Sequence, residues 1–469
     1  LVRDPARICI DAGWGNDEAR GEWTVKGEVA DLPLQFFSDK GLTSWPLAGN
    51  VTVALAANGD SERVQSGEMT VAIPEIRIKS GLAEEGFEDV ALHDNALELR
   101  LADGRLQGAL QSQFQDNSSL ALELAIADAG RFSASLLRQP VNGRLRLNLQ
   151  DLGPIAPLTD FLLRPTGRID STLAIAGTLS RPVFEGRLDL QNGRIALPSL
   201  GIFLEDVGVS LTAAGEEVEM QVNARSGPGQ ATAEGTLSYD DGSGLRGDFA
   251  VSGQQFQAVS LPEYEVLVNP DIRFTFTRDG GELSGVVTVP KAHIAPSEMK
   301  DAIAVSKDVV YTDLEKEEKV RHWPLVSRLD LRLGDDVRLD GYGLTGRLSG
   351  SLAIRDTSDT FVSGKGELTL NDGTFSLYGR SLAITRGRMF FSDGPVDNPG
   401  IDARAVHFIR EKSDFGGNMT IGVDVSGSLQ ELEFKLFSDP NMDEGDILAY
   451  MVVGHSMSGP ITVAAANEL

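Results

Sequence analysis

The chain has little of what stabilises very small folds or anchors a protein in a membrane. It contains one cysteine, Cys9, among 469 residues, which excludes an internal disulfide. Aromatic residues make up only 6% of the chain. Its longest apolar run, residues 447–453, is far shorter than the ~18–20 residues that cross a bilayer as a helix. The sequence as given therefore predicts neither a membrane-spanning helix nor a signal peptide, and we expect any anchor to lie upstream of Leu1.

The chain is also poor in positive charge. Its 42 Lys and Arg against 69 Asp and Glu give a net charge of −27, which argues against binding to nucleic acid or to an anionic lipid surface. The five histidines are not paired at the spacing of metal ligands, and one cysteine cannot complete a zinc set. The sequence predicts no metal and no cofactor.

What the chain does have is alternation of apolar and polar residues with a period of two, which is typical of β-strands with one apolar face. Representative stripes are Leu97-Leu99-Leu101, Leu120-Leu122-Leu124-Ile126, Leu145-Leu147-Leu149, Val218-Met220-Val222, Leu329-Leu331-Leu333 and Met419-Ile421-Val423-Val425. Asx-Gly pairs, which favour tight hairpin turns, recur between or beside the stripes. They are Asn58-Gly59, Asp103-Gly104, Asn142-Gly143, Asn192-Gly193, Asp241-Gly242, Asp279-Gly280, Asp340-Gly341, Asp372-Gly373 and Asp393-Gly394. The pattern predicts an all-β, mostly antiparallel chain.

Four segments break the alternation. Residues 31–37 predict a short helix or an apolar plug, and residues 152–163 an amphipathic helix. Residues 297–322 contain the charged run 313–319 and predict a solvated loop or frayed helix. Near the end, acidic residues 443–446 precede an apolar stripe with helical spacing, which predicts a capped amphipathic helix.

Two short motifs superficially resemble catalytic or cofactor sites. Residues 454–459 (GHSMSG) nearly match the lipase elbow G-x-S-x-G, but the fifth position is Ser458 and the segment follows a helix, not a strand. Residues 341–346 (GYGLTG) match G-x-G-x-x-G, but a strand-like segment follows where a dinucleotide site requires a helix. The sequence therefore predicts that the protein is not an enzyme.

Residues 364–406 carry a more specific signature. Its most diagnostic part comprises Tyr378-Gly379, Leu382, Ile384, Arg386-Gly387-Arg388 and Phe391, followed by Asp397-Asn398-Pro399-Gly400-Ile401. This segment, with the tail FSDPNMDEGDILAYMVVGHSMS, resembles the C-terminal domain of the TamB family of translocation and assembly modules, in the AsmA-like group of bridge-type lipid-transfer proteins. The likeness is strong over 325–458, fair over 150–290 and faint before; His455 stands where the family often has Arg.

The resemblance implies an elongated, taco-like curled antiparallel or mixed β-sheet with an apolar groove and few short helices. It implies β-groove repeats over 1–150, a C-terminal groove domain over 151–437 and a helical tail over 438–469. It further implies a periplasmic protein anchored in the inner membrane of Gram-negative bacteria. This protein would carry phospholipid to the outer membrane together with an Omp85-family barrel (TamA-like) partner.

Two sets of residues are candidates for these roles. The apolar stripes predict a lipid groove lined by Leu147, Leu173, Ile175, Leu188, Leu190, Leu329, Leu331, Leu368, Leu370, Phe375, Leu377 and Phe391. The last stripe and the tail helix predict a partner-binding surface made of Leu432, Phe434, Leu436, Ile447, Leu448, Met451 and Val452. The tail helix has a second interpretation, as a cap that closes the end of the groove.

Other interpretations of the fold and function remain open at this level. A string of β-sandwich modules, or a passenger-type adhesin, has the same periodicity but a core filled only by protein. A chaperone that assembles outer-membrane β-barrels or autotransporters by strand addition has the same fold and the same apolar face.

Overall fold

The structure is a computed structural model that describes residues 6–15, 21–40, 47–78, 90–114, 117–127, 129–130, 136–152, 163–240, 244–296, 323–357, 361–377, 379–410 and 418–453. The strands in these residues are β1 Arg7–Trp14, β2 Trp23–Pro33, β3 Leu47–Gly59, β4 Val64–Ile78, β5 Val90–Ala102, β6 Arg105–Phe114, β7 Ser119–Ile126, β8 Val141–Leu149, β9 Leu163–Thr178, β10 Arg181–Leu197, β11 Ile202–Gly215, β12 Glu217–Ser226, β13 Gly229–Asp240, β14 Gly244–Gln254, β15 Phe256–Leu261, β16 Tyr264–Thr277, β17 Gly280–Ile294, β18 Leu325–Gly341, β19 Leu344–Asp356, β20 Ser363–Leu377, β21 Arg380–Pro395, β22 Gly400–Arg410, β23 Asn418–Ser428 and β24 Glu431–Asp439. The α-helices are α1 Gln35–Asp39 and α2 Glu444–Val452, and short 3-10 turns cover Leu136–Arg138 and Pro198–Leu200. None of the helices in these ranges has the length and apolar character needed to cross a membrane.

Contacts divide the chain into two compact units. Unit 1 comprises Leu1–Ser226 and Thr232–Gly247, and unit 2 comprises Gly227–Ala231 and Asp248–Leu469. In unit 1, β1 to β12 pair in chain order, each antiparallel to its neighbours. In unit 2, β15 to β24 also pair in chain order. Only β17 and β18 run parallel within this ladder, so the predicted all-β, mixed-sheet class with few helices is confirmed.

Many strands separate their residues between an apolar and a polar face, as β18 illustrates. Leu329, Leu331 and Leu333 are half-buried, whereas the alternating Arg328 and Asp330 are exposed. Side chains alternate across a strand, so the period-two pattern of the sequence becomes one apolar face and one charged face. We call these the inner face and the outer face.

The predicted Asx-Gly turns divide into two structural types. Asp103-Gly104 forms the turn between β5 and β6, with positive φ at both residues as a tight hairpin requires. The prediction is wrong for Asn58-Gly59 and Asn142-Gly143, which lie within β3 and β8 without positive φ at the Asn residue. It is also wrong for Asn192-Gly193, Asp372-Gly373 and Asp393-Gly394, which lie inside β10, β20 and β21. In these last three pairs the Asx residue adopts positive φ within the strand, at or beside an interruption of regular pairing. Hairpin turns and β-bulges both need this backbone conformation, so the dipeptide alone does not distinguish them.

Three irregularities of register interrupt strand pairing in unit 2. Pairing shifts between Val289 and Lys291 in β17, between Leu333 and Arg338 in β18, and after Ile384 in β21. Bulges of this kind bend a strand and increase its twist. Residues from both sides of the β18 irregularity, including Leu333 and Leu339, pack against the cluster that contains the buried Val337.

The segments predicted to break the alternation are only partly within the described residues. In residues 31–37, β2 continues to Pro33 and the short helix α1 begins at Gln35. Helix α2 follows an acidic turn as predicted, and the Asp443 carboxylate caps it by accepting a hydrogen bond from the Gly445 N–H at 3.3 Å. Residues 153–162, 297–322 and 454–459, on which three of these predictions fall, lie outside the described residues.

The close approach of neighbouring strands predicts that Gly350 cannot be replaced. Its φ is +127°, and a Cβ atom there would lie 2.2 Å from the Glu367 carbonyl oxygen. Gly350→Ala should therefore destabilise the protein by about 1–3 kcal/mol, measured as a lower midpoint of thermal unfolding. Gly394→Ala is the matched control, because a Cβ at Gly394 meets no atom within 4 Å. Equal stability of the two variants would contradict this account.

Candidate functional site

The inner face of unit 1 is a continuous apolar surface across many strands. One row of residues crosses the sheet from β3 to β10, and each residue of the row is the register partner of the next. In order they are Leu55, Met69, Leu99, Gly108, Leu124, Gly143, Ile175 and Phe184. Each position is apolar or glycine, so an apolar ligand lying along this row would meet no charge from the row itself.

Unit 2 has an equivalent row from β17 to β24. Its members are Val289, Leu333, Gly350, Leu368, Met389, Ile401, Gly427 and Leu432. A second row on the same face joins Val287, Leu331, Leu352, Gly366 and Phe391. We call the inner face of each unit its trough.

The structure places the predicted groove residues on these inner faces. Leu147, Leu173, Ile175, Leu188 and Leu190 share one face of β8 to β10 in unit 1. Leu329, Leu331, Leu368, Leu370, Phe375 and Phe391 share the inner face of unit 2. All eleven side chains are half-buried. Leu377 pairs with Arg380 at the end of β20, and its side chain is outside the described set.

Glycines shape the floor of each trough. A Cβ at Gly143 would lie 2.5 Å from Cδ2 of Leu124, and a Cβ at Gly108 would lie 2.9 Å from Cδ2 of Leu99. Leucine side chains from neighbouring strands therefore lie over the glycine backbone. Without these glycines the leucines would have to turn away from the floor, into the space of the trough.

Unit 2 also contains an aromatic cluster whose residues are not among the predicted groove residues. Phe274 and Phe276 in β16 have ring centroids 5.6 Å apart, and both rings meet the edge of Trp323 at 6.4–6.5 Å. Phe249 stacks on Phe276 at 6.2 Å. The i, i+2 spacing of the two phenylalanines in β16 is the sequence signal that could have identified this cluster.

The tail helix does not present its apolar side to solvent as one surface. Ile447 and Met451 are 2% and 7% exposed, and they pack against Leu382 and Ile421 in the trough. Leu448, by contrast, is 49% exposed, and Val452 is also exposed. Of the four helix residues predicted for partner binding, Ile447 and Met451 are therefore buried, and only Leu448 and Val452 are exposed. The inner faces of β21 to β23 cover Ile447 and Met451. Because the helix has 3.6 residues per turn, Leu448 and Val452 lie on a different side and are not covered by these strands.

The predicted final stripe lies on an open strand. Among the described strands, β24 pairs only with β23, which leaves its other edge without a ladder. Leu432, Phe434 and Leu436 project from its inner face, and Phe434 is 67% exposed. An unpaired strand edge beside an exposed aromatic ring can accept a further strand from another chain.

The outer face of unit 2 is held by a network of ion pairs across β21 to β23. Arg404 binds Asp424 through two hydrogen bonds of 2.6 Å, and Arg388 and Arg386 bind Asp402 at 2.6 and 2.8 Å. The hydrogen bond from Arg404 lowers the pKa of Asp424, and the hydrogen bond from Arg388 lowers the pKa of Asp402. Bidentate pairs of this kind fix the spacing of neighbouring strands while the inner face stays apolar.

A cavity of about 720 Å³ in unit 1 is lined by five members of the apolar row and by the residues beside them in the same strands. The row members are Met69, Leu99, Gly108, Leu124 and Gly143. Charges of both signs, such as Glu98 and Arg100, also line this cavity, so its surface is mixed rather than purely apolar.

These features define a class of protein: an all-β chain with a charged outer face and a half-open apolar inner face. The segment 220–468 matches the family profile described as TamB C-terminal domain, and residues 3–190 match that of the TamB N-terminal domain. The chain belongs to the TamB family. A curated relative, translocation and assembly module subunit TamB from Haemophilus influenzae, is 25% identical over 317 residues, or 65% of this chain and 24% of that protein. The chain thus spans about a quarter of that relative.

The ion pairs of the outer face predict how stability depends on pH. Asp402 and Asp424 have pKa values lowered by folding, so their contribution is complete above the unfolded value near pH 4 and is lost as pH falls through the folded values. Unfolding by urea should therefore become easier below about pH 4, and Asp424→Asn should flatten this dependence. Asp330→Asn leaves both ion pairs intact and should keep the original slope. An unchanged slope in Asp424→Asn would refute the assignment.

Proposed function

We propose that the chain shields lipid acyl chains in its troughs and so carries phospholipid between the inner and outer membranes. The observation that carries this proposal is that the eleven described groove residues are half-buried, although other residues of the same face, such as Val289 and Val337, are buried. A string of β-sandwiches would bury such residues fully between two sheets, because sandwich cores are packed as densely as other protein interiors. A surface that is apolar but still accessible fits a ligand that enters and leaves.

The energetics of an acyl chain in water agree with a conduit that needs no catalytic residue. Burial is worth about 0.8 kcal/mol per CH₂, so a sixteen-carbon chain represents roughly 12 kcal/mol. An apolar trough lowers this barrier by contact alone. The acidic outer face, from a net charge of −27, keeps the sheet soluble while the inner face stays apolar.

Membership of the TamB family supports the cellular setting of the proposal. The H. influenzae relative is described as a subunit of a translocation and assembly module. We infer that this chain likewise works in the assembly of the bacterial outer membrane. In this proposal the full-length protein crosses the periplasm, is anchored in the inner membrane and meets an Omp85-family barrel of the TamA type.

A second function, assembly of outer-membrane β-barrel proteins by strand addition, is favoured by one observation. The outer edge of β24 has no partner strand in the described chain, and the half-buried Leu432 and exposed Phe434 line its inner face. The same edge suits docking of the barrel partner, so we place the partner-binding surface at β24 and at the exposed side of α2.

Photocrosslinking separates lipid from protein as the occupant of the trough. A photoreactive amino acid at Leu331 or Leu370 should capture phospholipid in intact cells, because both side chains line the inner face of unit 2. The adjacent Asp330 and Thr369 are matched controls on the outer face and should capture none. Capture of β-barrel polypeptide instead of lipid would favour the assembly function, and equal labelling of both faces would refute the trough.

Partner docking at the β24 edge predicts a selective loss of binding. Phe434→Asp should reduce co-purification of the full-length protein with its barrel partner, since a charge would replace the aromatic ring beside the open edge. Its thermal midpoint should hardly change, because Phe434 is 67% exposed. Phe408→Asp is the matched control: Phe408 is 66% exposed but lies on the outer face of β22. Equal binding by the two variants would exclude this edge as the docking site.

A further inference from the structure

The unit 2 trough is filled at one end by the protein's own tail. Ile421 is 0% exposed, and Leu382, Ala405 and Met419 beside it are also buried. Elsewhere on this face the predicted groove residues, such as Leu331 and Leu368, are half-buried, and the buried Val289, Val337 and Leu348 are covered by other residues of the sheet. Around Ile421 the cover comes from α2, because Ile447 and Met451 belong to the same cluster. At this end, side chains of α2 occupy the position that an alkyl chain would take along the rest of the inner face.

The contact between α2 and the trough is small. The helix runs only from Glu444 to Val452 and buries three side chains, those of Ile447, Ala449 and Met451. A helix this short has little stability of its own and depends on the surface that it covers. Methionine adapts its shape readily, so Met451 can leave and re-enter an apolar site without a precise fit.

Polar contacts hold the helix at its two ends. The Met442 N–H donates to the Ser438 hydroxyl at 2.8 Å just before the helix, and Arg380 donates to the Val453 carbonyl at 2.9 Å just after it. The hydrogen bond from Arg380 is exposed and that to Ser438 is partly buried, and water can replace both at little net cost. The apolar contact of Ile447 and Met451 is therefore the main attachment that a competing apolar ligand would replace.

We propose that the site formed by Leu382, Ala405, Met419 and Ile421 binds an alkyl chain, and that α2 is an internal occupant displaced when the chain enters. This inference rests on the proposed lipid-carrying function and adds to it a site of release at the C-terminal end of the unit 2 trough. Helix and alkyl chain exclude each other because both bury methylene and methyl groups against the same four residues. Without an alkyl chain, α2 covers this site at the end of the trough. When an alkyl chain is bound, α2 is displaced from the site.

A fluorescent long-chain fatty acid titrated into the whole chain provides the test. Met451→Glu places a charge at the buried contact and should favour the displaced helix, so the apparent dissociation constant should fall about threefold or more. Leu429→Glu is the matched control, because Leu429 is 51% exposed in the turn between β23 and β24, and it should leave binding unchanged. Unchanged or weaker binding in a folded Met451→Glu protein would overturn the proposal.

Hydrogen exchange on the unaltered chain tests the same idea without a variant and decides the matter if Met451→Glu fails to fold. Saturation with the fatty acid should speed exchange of the amides of Leu448, Ala449 and Met451. If the fatty acid binds and these amides stay as protected as before, α2 is a permanent cap and the inference is wrong, while the lipid-carrying function stands. If the fatty acid does not bind to the chain, both proposals fail.

Discussion

The structure depends on one constraint: most strands carry apolar side chains mainly on one side. A sheet with one apolar face must cover that face with a second layer or curl around it. In unit 2, register irregularities occur near Pro290, Gly334 and Thr385. Irregularities of this kind bend strands, and Val337, close to one of them, is buried in a cluster with Val289, Ala292 and Leu348.

Glycine residues allow neighbouring strands and their side chains to lie very close together in the sheet. At Gly143 a leucine side chain, and at Gly350 a carbonyl oxygen of the neighbouring strand, lies so close to the backbone that a Cβ atom would clash with it. On the outer face, Arg404 and Asp424 join adjacent strands through two hydrogen bonds. Strand spacing is therefore held from the outer face, and the inner face remains available for apolar contacts that need no fixed partner.

The tail illustrates how a single element can serve opposite roles. A helix with Ile447 and Met451 on one side and Leu448 and Val452 on the other has apolar residues for two surfaces. One side covers the end of the trough, and the other is free to meet a partner. In the proposed function, an apolar ligand that leaves at this end would displace the helix, which otherwise keeps the end of the trough covered.

Sequence alone determined the strand class, because a period of two separates side chains between faces whatever the surroundings. It also identified the face that holds Leu331 and Leu370, and the capped helix after Asp443. Only the tertiary structure decided that Asp372-Gly373 lies within a strand, because turns and bulges share the same backbone conformation. It also decided that Ile447 is buried while Leu448 is exposed, since this depends on Ile421, a residue distant in sequence that the sheet brings beneath the helix. Periodicity describes each element by itself, and what covers that element depends on contacts that no local pattern contains.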